Sequence, residues 1–347
     1  MSFIPSGTST RLVPGYGNMN AKIAIVGDYT TQFDVRALKP FTGPNGTVLE
    51  GCLHSAGLIS AEVYVTNTFK SPTKKAGKLA GTDFFDEEKK KFTQLGLEHA
   101  EMLRVELNKH SANIIICCGN ASLLALSNFN SVAKYRGYIC ASSKLEKTRK
   151  LMPTFSPGST LRGAYINRHL IVNDLRKAKV ESFIPDIVRP DRKLVYTYAN
   201  VEEALQWCEY YEHQTEFVLD TEVINYELAC ISFATSPDVG CVIPLGPTFE
   251  RPNGWTEDEE MMLMRAIQRV VGNPKSKKII QNSSFDNHYM LTQCGLVIRG
   301  PIDDTMIGHS VMFPEFPKGL AFLGSLYCGS QEYWKDSVSF KNIKEES

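Results

Sequence analysis

A chain of 347 residues favours two domains over one, each long enough to close its own core. It carries 43% hydrophobic and 22% charged residues, with 38 basic side chains against 38 acidic ones, so bulk charge argues neither for nor against nucleic acid and any basic surface has to be local. Nine cysteines lie in apolar runs without CxxC spacing, no apolar run reaches spanning length and no signal peptide opens the chain; this excludes a disulfide scaffold and a zinc ribbon and leads us to expect a cytoplasmic protein with no membrane partner.

The first twenty residues, rich in Gly, Ser, Pro and Asn, read as an extended arm. Lys22 to Val26 is an apolar strand that runs into Gly27-Asp28-Tyr29-Thr30. Such strands belong in parallel sheets, where ligands collect beyond the carboxyl ends, so Gly27 to Thr30 is a candidate site loop. Lys39 to Gly46 holds two prolines and two glycines and therefore has a fixed course, with Phe41 at its tip either as a core plug or as a presented ring. A helical pattern follows from Thr47 to Ala56. The next strand, Val63 to Thr66, stops at Asn67 before a loop containing Lys70, Lys74, Lys75 and Lys78, which are either solvated or local phosphate contacts. A charged amphipathic helix over 86–109 leads to strand Asn113 to Cys118 and a helix over Ala121 to Leu126. Ser156-Pro157-Gly158 then precedes a last helix, Arg162 to Lys179. This β-α-β-α-β-α order predicts a doubly wound parallel sheet.

A proline-bearing charged segment, 181–192, reads as the linker between domains 1–180 and 193–347. Beyond it, strand Lys193 to Tyr198 precedes a helix over Val201 to Glu212 capped by Asn200. Phe217-Val218-Leu219-Asp220-Thr221-Glu222 places two carboxylates at i and i+2, on one face of a strand. Facing carboxylates repel unless a cation neutralises them, and hard ions such as Mg²⁺ or Mn²⁺ favour oxygen ligands. Leu228 to Ala234 and Gly240 to Pro244 read as antiparallel partners with turns at Asn225 and Ser236-Pro237-Asp238. A helix from Trp255 to Val271 and strand Lys277 to Gln281 complete an α/β layer with a mixed sheet.

The order Gly27-Asp28-Tyr29-Thr30, Pro40-Phe41-Thr42-Gly43-Pro44-Asn45-Gly46, Val65-Thr66-Asn67 and Ser156-Pro157-Gly158 resembles the family 4 branch of the uracil-DNA glycosylase superfamily, over about residues 10 to 178. The resemblance implies a pocket in which Gly27 and Asp28 line the first loop, Phe41 stacks on a flipped uracil, Asn67 reads its edge and Ser156 opens the second site loop. Two departures bear on chemistry. Ser6 to Arg11 holds no cysteine where the family has cluster ligands, so no iron-sulfur cluster is expected. Ser156 replaces the family's histidine and lacks an imidazole's polarising power beside a departing base. The resemblance therefore implies either a glycosylase or a retained, catalytically inert DNA-binding module.

Asp220-Thr221-Glu222, with Asn282-Ser283-Ser284-Phe285-Asp286 and the stretches Pro301 to Ile307, Phe316 to Leu320 and Tyr333 to Asp336, resembles the DnaQ-like 3′-5′ exonuclease domain of phage-type family A DNA polymerases. This implies a ribonuclease H-like mixed-sheet fold and hydrolysis assisted by two Mg²⁺ or Mn²⁺ ions on Asp220, Glu222 and Asp286. Asn282 and Phe285 would either position the terminal nucleotide at the 3′ end of single-stranded DNA or pack the strand end, and His288 would be a helix surface residue. The late motif is one residue short: Tyr333-Trp334-Lys335-Asp336 offers Asp336 as the last catalytic carboxylate. We therefore expect the remaining motif and a polymerase domain to lie beyond Ser347, in a protein of phage-infected or bacterial cytoplasm.

Overall fold

The computed structural model describes residues 11–73, 81–86, 88–188, 191–197, 200–249, 251–329 and 333–336. Lys74, Lys75, Lys78 and residues 6–10 of the cysteine-free lead lie outside them. The chain forms two compact units, one running up to Arg189 and resuming at Ala321, the other spanning Pro190–Leu320.

The first unit is built on a sheet of six strands: β1 (Tyr16–Gly17), β2 (Ile23–Thr30), β3 (Val63–Pro72), then β6 (Ile114–Cys118), β7 (Cys140–Ala141) and β8 (Lys150–Thr154) in the spatial order β1-β3-β2-β6-β8-β7. A separate hairpin pairs β4 (Phe85–Asp86) with β5 (Lys91–Phe92). The four central strands are parallel and their residues are almost wholly buried, as expected for a sheet covered on both faces. The covering helices are α1 (Gln32–Ala37), α2 (Pro44–Ser55), α3 (Gln94–Asn108), α4 (Asn120–Leu126), α5 (Val132–Tyr135) and α6 (Asn167–Glu181). Leu49, Cys52, Leu53, Ile171 and Leu175 of α2 and α6 close one core with Ile25, Val65 and Ile116; Ala100, Leu103 and Leu107 of α3 close another with Val26, Ile115 and Cys117. The arm is pinned at residue 13, where Val13 N–H donates to the Lys70 carbonyl.

Three details differ from the sequence reading. β2 continues through Thr30 and β3 through Pro72, so the expected loop at Gly27 and the expected strand end at Asn67 are both paired backbone: Gly27 lies opposite Asn67, and the register shifts only between Tyr29 and Thr30. Polar side chains hide this extension in the sequence because they line a cavity. The helix expected over 86–109 begins only at Gln94, since Thr93 caps it after the hairpin. Lys70 is neither solvated nor a phosphate contact; it is buried, and its ammonium meets Glu106 at 2.5 Å and also reaches Thr66.

The second unit holds β9 (Lys193–Tyr196), α7 (Val201–Glu212), β10 (Glu216–Ile224), β11 (Glu227–Ala234), β12 (Val239–Pro244), α8 (Glu257–Gly272), β13 (Lys277–Ile280), α9 (Ser283–Cys294), β14 (Ile302–Asp304) and α10 (Thr305–Met312). The sheet is mixed, ordered β14-β13-β10-β11-β12-β9, with β10, β11 and β12 antiparallel. Asn225 and Tyr226 both take positive φ, the two-residue hairpin turn expected between β10 and β11. Phe217 and Leu219 of β10, Ile231 and Phe233 of β11 pack on α7 and α8. Period-two alternation turns Val218, Asp220 and Glu222 the other way.

The chain after Leu320 departs from the expected 193–347 division. Helix α11 (Leu320–Tyr327) belongs to the first unit: Tyr138 OH donates to the Ala321 carbonyl, Lys177 to that of Ser325, and Arg136 to Ser325 Oγ at 2.8 Å. Arg136 is itself clamped by the buried Asp174, which also accepts from Thr154. The ring of Tyr333 packs edge-on against Tyr135 and Tyr138. Trp334–Asp336 forms a short 3₁₀ turn in the same unit, and the Asp336 side chain lies outside the described set.

Candidate functional site

In the first unit Asp28, Phe41, Asn67 and Ser156 line one cavity of about 1180 Å³, joined by Thr30, Asp34, Asn45 and Arg162. Gly27 packs closely against two of these residues, because a Cβ there would run into both Asn67 Oδ1 and the Phe41 ring. Phe41 holds φ at 55°, a conformation that a bulky side chain adopts only when its surroundings impose it. Two features impose it here. A Cβ at Gly46 would overlap the Phe41 carbonyl, so α2 starts flush against that backbone. Asp34, capping α1 through Thr31, also accepts from Thr42 N–H at 2.8 Å and from Thr42 Oγ1, which ties down the residue after Phe41. The ring is half-buried: it packs on the core and also faces the cavity, combining both sequence readings.

Asp28 is anchored at the start of α4, where its Oδ1 accepts from Ser122 N–H at 2.7 Å. Gly119, at φ 134°, leaves room for that carboxylate. Ser156 precedes the 3₁₀ turn Pro157–Arg162, with its carbonyl accepting from Ser159. Asn67 is 3% exposed; its Nδ2 donates to Thr30 Oγ1, while its Oδ1 is buried with no hydrogen-bond partner. A buried acceptor without a donor costs about 1–3 kcal/mol, which a ligand N–H aimed at it would recover.

In the second unit the acidic residues are set by β10 and α9. Asp220 and Glu222 share one strand face, and Asp286 lies in the first turn of α9. Thr221, between them, donates to Asp286 Oδ1 at 2.5 Å and so couples the two motifs. Burial, then the charges of Asp286 and Glu222, push the Asp220 carboxyl up to about 6. Burial likewise raises Asp286. Asn282 takes a left-handed φ of 63° and makes no side-chain cap; Asp304 caps α9 in its place, accepting from the N–H groups of Asn282 and Ser283 and from those of Met306 and Ile307. Burial opposes ionisation of Asp304, but these hydrogen bonds outweigh it and hold the carboxyl below its ordinary range. Phe285 is half-exposed and lies nearly parallel to Tyr289, with centroids 6.2 Å apart. His288 is exposed on α9, as expected.

Oxygen donors of this kind suit a hard divalent ion, whose charge would relieve the repulsion that adds to burial in raising Asp220. Among the described residues no three such side chains are gathered closely enough to enclose an ion. The sequence reading missed Asp34, and it placed Thr30 and Asp304 in motifs without their roles; the three hold the surroundings of Phe41, Asn67 and Asp286 respectively. The sequence signals were faint: Thr31-x-x-Asp34 has the spacing of a capping box, and Asp304 stands just before a helical run.

Residues 14–176 match the uracil DNA glycosylase superfamily, and residues 196–344 match a 3′-5′ exonuclease family of the A-type DNA polymerases. A type-4 uracil-DNA glycosylase of Archaeoglobus fulgidus is 26% identical over 159 residues, 44% of this chain and 74% of that protein. A DNA polymerase of Bacillus phage SP01 is 21% identical over 327 residues; the match takes in 86% of this chain and 33% of the polymerase, so the chain spans about a third of that relative's length. A solved structure of Escherichia coli RNase D overlaps 43% of the chain and 36% of its own, at 20% identity and a TM-score of 0.31. No helix among the described residues is long and apolar enough to cross a membrane.

Proposed function

We propose that this chain, a uracil-DNA glycosylase superfamily domain followed by a 3′-5′ exonuclease domain, removes nucleotides from the 3′ ends of single-stranded DNA as the proofreading part of a phage-type DNA polymerase. The observation that carries this reading is the set of acids at β10 and α9, in which burial first and then the charges of Asp286 and Glu222 raise Asp220, while Thr221 ties Asp286 to β10. Asp220, Glu222 and Asp286 would hold Mg²⁺ or Mn²⁺. Bound there, such ions supply the positive charge that eases deprotonation of water and stabilises the departing 3′ oxygen. Thr221 keeps Asp286 oriented, and Asp304 fixes the first turn of α9. The parallel rings of Phe285 and Tyr289 offer faces on which a terminal base stacks, a contact worth about 1–3 kcal/mol per base. Shortening of a 3′-labelled single strand with Mn²⁺, abolished in Asp220→Ala, tests the reading; undiminished shortening in that variant sinks it.

A second activity is favoured by the unpartnered Asn67 Oδ1 inside the first cavity. It supports binding of an extrahelical base, with Phe41 as the stacking ring and Asn67 as the edge reader. Ser156 offers no imidazole to polarise a departing base, so recognition without excision is the form of this activity that the side chains support. Retention of a uracil-containing strand without abasic product, lost in Asn67→Ala, is the expected result.

A further inference from the structure

Thr30 lies at the register shift between β2 and β3, where Tyr29 still pairs with Phe69 but Thr30 falls opposite Pro72. Its hydroxyl donates to the Phe69 carbonyl at 2.6 Å, which commits its only proton. Toward Asn67, 3.3 Å away, the Thr30 oxygen can therefore only accept, so the Asn67 amide has to present its NH₂ end to Thr30. Turning the amide over would place Oδ1 against the hydroxyl lone pairs. With Nδ2 fixed this way, Oδ1 is left facing the narrow point between Gly27 and Phe41, and Nδ2 keeps a second N–H.

We propose that Thr30 is a specificity-determining residue: by locking the Asn67 amide it makes the cavity read a base edge with an N–H donor beside a carbonyl acceptor, as in uracil, and reject the reversed pattern of cytosine. Uracil presents N3–H to Oδ1 and O4 to Nδ2. Cytosine presents an N3 lone pair and an N4 amino group, which the same asparagine satisfies only after a flip. The two bases differ by the orientation of one amide, and Thr30 sets that orientation. This inference rests on the reading of the cavity as a base pocket. A site whose polar groups are fixed rejects a mismatched partner more strongly than one that can rearrange, because the mismatch leaves buried groups unpaired.

The test uses the full chain, without divalent ions, on strands of one sequence carrying a single uracil, cytosine, 3-methyluracil or abasic position. Wild-type protein is expected to favour uracil over cytosine by at least about tenfold, and to lose about as much affinity on 3-methyluracil, whose methyl removes the donor for Oδ1. Thr30→Val removes both hydroxyl contacts and is expected to bring the uracil-to-cytosine ratio near unity; Thr30→Ser restores it. An unchanged ratio in Thr30→Val, or equal wild-type binding of uracil and 3-methyluracil, overturns the role of Thr30 while the base pocket stands. Equal wild-type binding of uracil and abasic strands overturns the pocket reading and this proposal with it. Should Thr30→Val fail to fold, the 3-methyluracil comparison on wild-type protein decides the orientation alone.

Discussion

Around the cavity of the first unit, most polar groups already have fixed partners: Asp34 holds Thr31 and Thr42, Asp28 holds the start of α4, and Thr30 holds Asn67. In the second unit Asp220 feels the charges of Asp286 and Glu222, and Thr221 holds Asp286. The first site is a shape made by close backbone approach, with the buried Asn67 acceptor left open. The second is a charge density whose completion falls to what binds it. Shape sites depend on glycines and buried clamps and tolerate changes of charge poorly only where a clamp is removed. Charge sites depend on which acids are present and how near they lie. Perturbations should therefore separate the two units.

The largest effect is expected from Asp174→Ala, which leaves the Arg136 guanidinium buried without its carboxylate and loosens the seat of α11. About 3–5 kcal/mol should be lost from the first unit alone, read as a drop in one of two calorimetric transitions. Acid should act in the same place. His99 is buried, with its Nδ1 accepting from the Lys70 backbone N–H, and burial first, then the Lys70 charge, lowers its pKa from 6.5 to about 4. The folded state holds it neutral, so its contribution is intact above pH 6.5 and is lost as pH falls from 6.5 toward 4. The loss approaches about 3 kcal/mol, and His99→Gln should flatten that slope in a pH series of denaturant melts.

Gly46→Ala forces a methyl into the Phe41 carbonyl and should destabilise the first unit by about 1–3 kcal/mol, with weaker binding of base-containing strands and unchanged nuclease rates. The smallest effect should come from Thr221→Val, which keeps all three acids and removes one hydrogen bond to Asp286. A fall in kcat of about tenfold with near-constant stability of the first unit would fit; no change would mean that Asp286 orients itself.

The contrast also explains what could be read from the chain before its fold. Apolar strands such as Ile114–Cys118, the Asn225 turn and the Asn200 cap are local patterns, and they form as expected. Asp220, Glu222 and Asp286 could be singled out because acids on a strand and at a helix start are written in residue types, and Thr221 links the two elements in the fold. Phe41 and Asn67 were legible through the resemblance, and the structure brings both to one cavity. The roles of Thr30, Asp34 and Asp304 were not, because they are hydrogen bonds to backbone and side chains that only the fold places nearby. The path of the chain after Leu320 was hidden for the same reason: Arg136 and Lys177, which receive α11, lie more than a hundred residues away in sequence.

The central claim, that the second unit's acids form an ion-dependent nuclease site, is tested most directly by incubating a 5′-labelled single strand with the full chain in chelator and then with added Mn²⁺. The account predicts an intact strand in chelator and, on adding the ion, a ladder receding from the 3′ end. An equal ladder in chelator, or an intact strand at every Mn²⁺ concentration, would contradict it.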